Sequence, residues 1–129
     1  MQELLVQPDA SDKRPWGSFT VIWESRGSKV KILDVLPLKR LSLQRHKHRS
    51  EHWFVVRGSG SAIVESEEGV LVEIAIVPGS SVDVPCGKKH RLIAGSDGME
   101  IVEVQTGSSF EESDIERFED DFNRTANKG

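Results

Sequence analysis

Three of the four histidines, His46, His48 and His52, fall within seven residues in LSLQRHKHRSEHW, and the fourth, His90, follows the tight turn PCGKKH. Neutral imidazole nitrogens ligate divalent metals, and Glu51 in the same segment adds a hard anionic oxygen. Side chains on a strand repeat every two residues, so Gln44, His46 and His48 face one way if the segment is extended. If that face is a barrel interior, each buried polar side chain costs roughly 2 kcal/mol or more without a partner, and a bound cation supplies one. His90 would close the site from another strand. A donor set of imidazole and carboxylate without thiolate suits Zn, Mn, Fe, Co or Ni. Cys86 shares the turn with His90 and reads as a small turn residue. Spacing leaves open whether Gln44 and His46, or His46 and His48, supply the first two donors. If it is not a ligand, His48 is a base whose ordinary pKa near 6.5 lets it carry protons at neutral pH. His52 is the weaker candidate.

Cations flank both histidine segments. Lys47, Arg49, Lys88, Lys89 and Arg91 could hold an anionic group, Arg as a fork and Lys as a point charge. Alternation turns Arg91 away from His90 unless the strand twists there. Arg14 and Trp16 sit together in RPWG.

Short segments of period two must carry these residues. Phe19 to Trp23, Val30 to Leu36, Leu41 to Leu43, Trp53 to Val56, Ser61 to Glu65, Val70 to Val77, Ser81 to Val84, His90 to Ile93 and Met99 to Val104 are rich in Val and Ile. Gly, Pro, Asp or Ser bound them. Eight or nine such strands predict an all-β sandwich or barrel. Residues 1–13 read as an N-terminal arm, 14–107 as the barrel and 108–129 as an acidic tail. In the tail, the spacing of Phe110, Ile115, Phe118 and Phe122 predicts a helix covering one barrel end.

The chain has 129 residues, enough for one domain and one core. Its 17 Lys and Arg against 21 Asp and Glu give a net charge of −4, which argues against nucleic acid as a partner. One cysteine excludes an internal disulfide, and no apolar run is long enough for a spanning helix or a secretory signal. A cytoplasmic location without membrane contact is the expectation. Leu4, Leu5 and Val6, with exposed strand edges, point to a homodimer.

The motifs resemble those of the cupin superfamily. Gly79, Pro85-Cys86-Gly87 and His90 follow its second motif, with Ala94 where an Asn is usual. Glu51 and Gly58 keep the six-residue gap of its first motif, with Leu38 at a glycine position. The segments RPWGSF, KILDVLP, LSLQRHKHRSEHWFVVRG, VPCGKKHR and IVEVQTG resemble, over residues 14–123, the type II mannose-6-phosphate isomerase domain of bifunctional guanylyltransferase/isomerases. The resemblance implies a cupin double-stranded β-helix, a jelly-roll barrel with a short C-terminal helix. It implies one divalent ion, zinc first, held by Gln44, His46, Glu51 and His90, with His48 as a further ligand or the base. Lys89 and Arg91 would hold the phosphate of a small phosphorylated sugar. The implied reaction interconverts mannose 6-phosphate and fructose 6-phosphate through a cis-enediol. Other readings are another metal cupin enzyme (a sugar isomerase, epimerase or dioxygenase) or a non-enzymatic sugar-binding module partnered by a separate guanylyltransferase chain.

Overall fold

The computed structural model describes residues 11–111 and 113–124, and among them every regular element is a strand. In chain order these are β1 (Ser11–Arg14), β2 (Gly17–Ser25), β3 (Ser28–Val35), β4 (Leu43–Arg45), β5 (Arg49–Glu65), β6 (Leu71–Ile76), β7 (Ser81–Val84), β8 (His90–Gly107) and β9 (Glu116–Glu119). All are joined in one curled sheet with the path β1-β2-β3-β8-β4-β9, and β5 branches from β8 to pair with β6 and β7. The expected all-β class holds. Leu4, Leu5 and Val6 lie outside the described residues.

Two long strands form the spine. The segments Trp53–Val56 and Ser61–Glu65, separate in the sequence pattern, merge into β5. Those at His90–Ile93 and Met99–Val104 merge into β8. Each is bent midway. The β5–β8 register shifts between Val55 and Arg57 and again between Gly58 and Gly60. A Cβ on Gly60 would fall 2.0 Å from the carbonyl oxygen of Ile93, and Gly58 has φ +81, so glycine permits both the close approach and the left-handed turn. Beyond the bend, the strands change neighbours. The first part of β5 pairs with β7 and its last part with β6, while β8 pairs with β4 near His90 and with β3 from Met99 onward.

The concave face holds the core. Leu33, Val35, Trp53, Val55, Leu92, Met99 and Ile101 are buried there, with Trp16 and Phe19 packed on them. The helix expected in the tail is not formed. Residues 116–119 instead pair with β4, Leu43 opposite Glu119 and Arg45 opposite Glu116. The free backbone groups on the edge of β4 gain partners this way, which outweighs the weak helical preference of a short acidic segment. Phe122 still packs against the core, and Phe118 receives the Lys89 ammonium 4.2 Å from its ring centre.

Candidate metal centre

On β5, β8 and β3 the inward face changes character along the strand. Trp53, Val55 and Ile101 are followed at the same parity by Glu51, Glu103 and Gln105, all buried, and Leu33 by Lys31. His90 enters from the start of β8, opposite Gln44 of β4. His46 comes from the bend after β4. Among the described residues, His46, Glu51 and His90 form one group whose donor atoms all lie within 4.8 Å of one another. His46 Nε2 is 3.3 Å from Glu51 Oε2, and His90 Nε2 is 3.6 Å from Glu51 Oε1.

Backbone carbonyls set both tautomers. His46 Nδ1 lies 2.6 Å from the Asp114 carbonyl oxygen, and His90 Nδ1 lies 2.9 Å from that of Lys88. A carbonyl only accepts, so each Nδ1 carries the proton and each Nε2 presents a lone pair to Glu51. Burial drives both imidazoles down to about pKa 4. The Arg49 charge adds to this at His46. They are therefore neutral at pH 7, the form that binds metal. The buried His90 Nε2 has no hydrogen-bond partner among the described residues. An orphaned acceptor beside a carboxylate and a second imidazole fits a divalent cation. Two His and one Glu match the three-ligand sets of catalytic zinc and of non-haem iron, which leave positions open.

Arg49 lies against this group. Its Nε and Nη2 reach Glu51 Oε2 at 3.2 and 3.1 Å, Nη2 donates to His46 Nε2 at 3.2 Å, and Nη1 is buried with no hydrogen-bond partner among the described residues. The Trp53 indole N–H is shared between Glu51 Oε1 at 3.2 Å and Glu103 Oε2 at 3.1 Å. Glu103 also accepts from Gln105. Burial, and then the nearby Glu51 charge, push the Glu103 carboxyl up to about 8. His46, Arg49, Glu51 and Glu103 line a cavity that also reaches Trp16, Phe19, Lys31 and Arg14.

The expected site residues fall into two groups. His46, Glu51 and His90 come together, and Gln44 stands beside them. The Gln44 Nε2 approaches His46 Nε2 at 3.4 Å while its Oε1 accepts from Ser42 at 2.6 Å, so its amide nitrogen, not its oxygen, faces the group. His48, Lys89 and Arg91 are not brought there. The chain bends at Lys47 and His48, whose N–H groups both donate to the Asp114 carboxylate at 2.9 Å. Period two fails across that bend, and His48 is exposed. Arg91 keeps strand alternation and turns away, donating to the Leu41 carbonyl at 2.9 Å and to Glu119 at 3.0 Å. Lys89 lies over Phe118, outside the cavity lining. His52 faces outward, 2.6 Å from Asp83.

Sequence reasoning missed Lys31 and Glu103 as cavity residues. The readable signal was a charge at the inward parity of a strand, Lys31 before Leu33 and Val35, and Glu103 after Ile101. The Asp114 carbonyl left no such signal, because any residue has one.

The architecture is that of the cupins. It superimposes on oxalate decarboxylase from Bacillus subtilis with a TM-score of 0.79 at 19% identity, over 88% of this chain and 31% of that one. The capsular polysaccharide assembling protein CapF from Staphylococcus aureus gives 0.71 at 21% identity, over 84% and 34%. Within that fold, the chain belongs to the mannose-6-phosphate isomerase C-terminal family, which it matches over residues 3–120. It is 42% identical over 114 residues to the alginate biosynthesis protein AlgA of Pseudomonas aeruginosa, covering 88% of this chain and 23% of that protein. It is 38% identical over 112 residues to the mannose-1-phosphate guanylyltransferase ManC of Salmonella typhimurium, covering 86% and 22%. The chain thus spans about a quarter of the length of these curated relatives.

Proposed function

We propose that this domain is a metal-dependent aldose-ketose isomerase acting on mannose 6-phosphate. The observation that carries the reading is the buried His46, Glu51 and His90 group, its two lone pairs fixed by backbone carbonyls, with His46 and Glu51 lining a cavity beside further charged side chains. Zinc is the first choice of ion, because two imidazoles and one carboxylate are a zinc donor set. When bound, such an ion polarises the carbonyl and hydroxyl oxygens of the sugar and so acidifies the proton between them.

The protein's own groups do the rest. Loss of the C2 proton with uptake of a proton on O1 turns the C1 aldehyde into a cis-enediol, and return of a proton to C1 with loss of the O2 proton leaves a ketone at C2. No redox cofactor takes part. The Arg49 guanidinium, whose Nη1 has no hydrogen-bond partner among the described residues, stands where negative charge grows on the sugar oxygens, and a buried cation stabilises that charge strongly. Glu103 is a cavity carboxyl outside the three donors, buried beside Glu51. Sharing the Trp53 N–H with Glu51, it stands where it can exchange a proton with the sugar carbons. Trp53 and Gln105 fix its orientation. This role replaces the one expected of His48.

The test is direct. The metal-reconstituted protein is incubated with mannose 6-phosphate in deuterated water, and fructose 6-phosphate carrying deuterium at C1 is the expected product. Failure to form product or exchange deuterium, with the metal content verified, would reject the isomerase.

A further inference from the structure

We infer that the outer face of β2, β3, β8, β5 and β7 is a contact through which two copies of this chain pair, sheet against sheet. It lies on the side of the sheet away from the metal centre and does not depend on the isomerase reading.

An antiparallel sheet with one face on a core usually turns polar side chains outward. This sheet does not. Its inward residues Leu33, Trp53, Val82 and Ile101 are buried in the core. At the opposite parity, the register lays two rows across the five strands. One runs Trp23, Val30, Val104, His52, Asp83, and the next Thr20, Ile32, Val102, Phe54, Ser81. Val56 follows Phe54 at the same parity, and the register shift between Val21 and Trp23 adds Ile22 beside Trp23. Trp23 is 59% exposed, Phe54 42% and Val56 41%, so no described residue covers them. Ser28, Thr106 and Ser50 border the rows on one side, and Asp34 with the Arg57–Glu100 ion pair borders them on the other. An apolar centre inside a polar rim is the anatomy of a protein interface.

A second copy fits this face in size and in symmetry. Five strands about 4.8 Å apart span about 24 Å, and the two rows with Val56 cover about 20 Å along them, an outline of roughly 500 Å². Two copies together would bury about 1,000 Å², the lower bound for a specific interface, and more where side chains interlock. The patch is also balanced about β8, with β3 and β2 on one side and β5 and β7 on the other. A two-fold axis along β8 therefore lays β2 of one copy over β7 of the other with the strands aligned, the arrangement that packed sheets favour. Trp23 of one copy then lies over Asp83 of the other, whose exposed carboxylate can accept the indole N–H, and Val102 and Val104 meet their own counterparts. One apolar patch thus serves both sides of the contact.

Sedimentation velocity on the full chain tests this. The parent should sediment as a dimer that dissociates on dilution. Phe54→Glu and Trp23→Ser should each raise the dissociation constant about thirtyfold or more, the effect of losing a central anchor. Metal content should not change, since both side chains face away from the donors. Val72→Glu, exposed on β6 outside this face, should dimerise as the parent does. Fluorescence gives a second readout. Of the three tryptophans Trp16 and Trp53 are buried and Trp23 is exposed, so emission should shift to the blue as concentration rises. Trp23→Phe should abolish that shift. Circular dichroism reports on folding, and Trp23→Ser, at the more exposed side chain, carries the test if Phe54→Glu does not fold. The inference is overturned if the parent is a monomer at its highest soluble concentration, or if the folded face variants remain dimers with the parent's affinity. It is overturned equally if Val72→Glu alone separates the copies, which would put the contact on the β6 edge.

Discussion

Lys31 and Leu33 are two residues apart on β3 and face the same way, yet Leu33 sits in an apolar core and Lys31 in a charged cavity. The same step separates Trp53 from Glu51 on β5 and Ile101 from Glu103 on β8. One concave sheet face thus has two ends built by the same strands. At the apolar end, burial stabilises the fold at about 25 cal/mol per Å². At the polar end it works against the fold, since three carboxyl or imidazole groups are held in uncharged forms away from water. The apolar end anchors the strands so firmly that the polar end can be held in a geometry that is costly without a metal.

The sharpest way to break this contrast is His90→Ala. It removes one of the three donors, so the protein should lose its metal on dialysis and its turnover should fall to background, as measured by elemental analysis and product assay. Retention of both would show that the cluster is not the metal site. Ile101→Ala strikes the opposite end. A fully buried Ile becomes Ala at a cost of about 2–5 kcal/mol, read in denaturant unfolding. The folded fraction should still bind one metal per chain. If the metal is lost instead, the two ends are not separable.

Asp114→Ala acts at one remove. Its carboxylate holds the N–H groups of Lys47 and His48, and its carbonyl holds His46 Nδ1, so the substitution loosens the bend that aims His46. Metal affinity should fall about 10–100-fold, the usual effect of losing a group that orients a ligand. A competition titration with a chelator would measure it, and unchanged affinity would mean that the bend holds without its anchor.

A smaller effect appears in the pH dependence of the metal-free protein. The unfolded histidines titrate at 6.5 and the folded ones at about 4, so between these values the unfolded chain binds more protons. Their contribution to stability is complete above pH 6.5 and is lost on acidification through that window. Glu103 runs the other way. Its pKa rises from 4.5 to about 8, the native state holds the extra proton, and stability is lost as pH rises through that range. Two imidazoles outweigh one carboxyl where the windows overlap, so the polar end should favour folding most near pH 6.5. Thermal unfolding between pH 4 and 8.5 tests this, and Glu103→Gln should flatten the alkaline limb and steepen the acid limb where the two windows overlap.

The two ends were not equally legible. The period-two runs of Val and Ile gave the strands, because the apolar face of a sheet writes itself into alternate residues. Glu51 and His90 were readable as donors, since they stand among motif residues of fixed spacing. What the sequence hid were tertiary effects. The bends of β5 and β8 fuse runs that look separate, and they depend on how close Gly60 comes to Ile93. The β4 edge captured a tail whose local spacing looked helical. Arg91 was named for its place beside His90, although alternation already turned it away. Lys31 was passed over because a lysine in a strand is usually solvated, and only the closure of the sheet reveals that this one is buried.

His48 makes the last and smallest test, because strand alternation and the fold assign it opposite places. Extended from Gln44, the chain would carry it inward beside His46. Instead, the Asp114 carboxylate takes the two successive N–H groups at Lys47 and His48, bends the backbone there, and leaves the His48 imidazole in solvent. The substitution His48→Ala keeps both N–H groups, so the bend should survive. Metal content should be unchanged, and kcat and KM should stay within about twofold of the parent, since exposed substitutions away from packed features shift free energies by only about 0.5 kcal/mol. A hundredfold loss of kcat would mean that the bend rearranges when substrate binds and that His48 swings inward. The polar end would then extend beyond the buried side chains that now define it, and the boundary between buried and solvated histidines would be set by the ligand, not by the sheet.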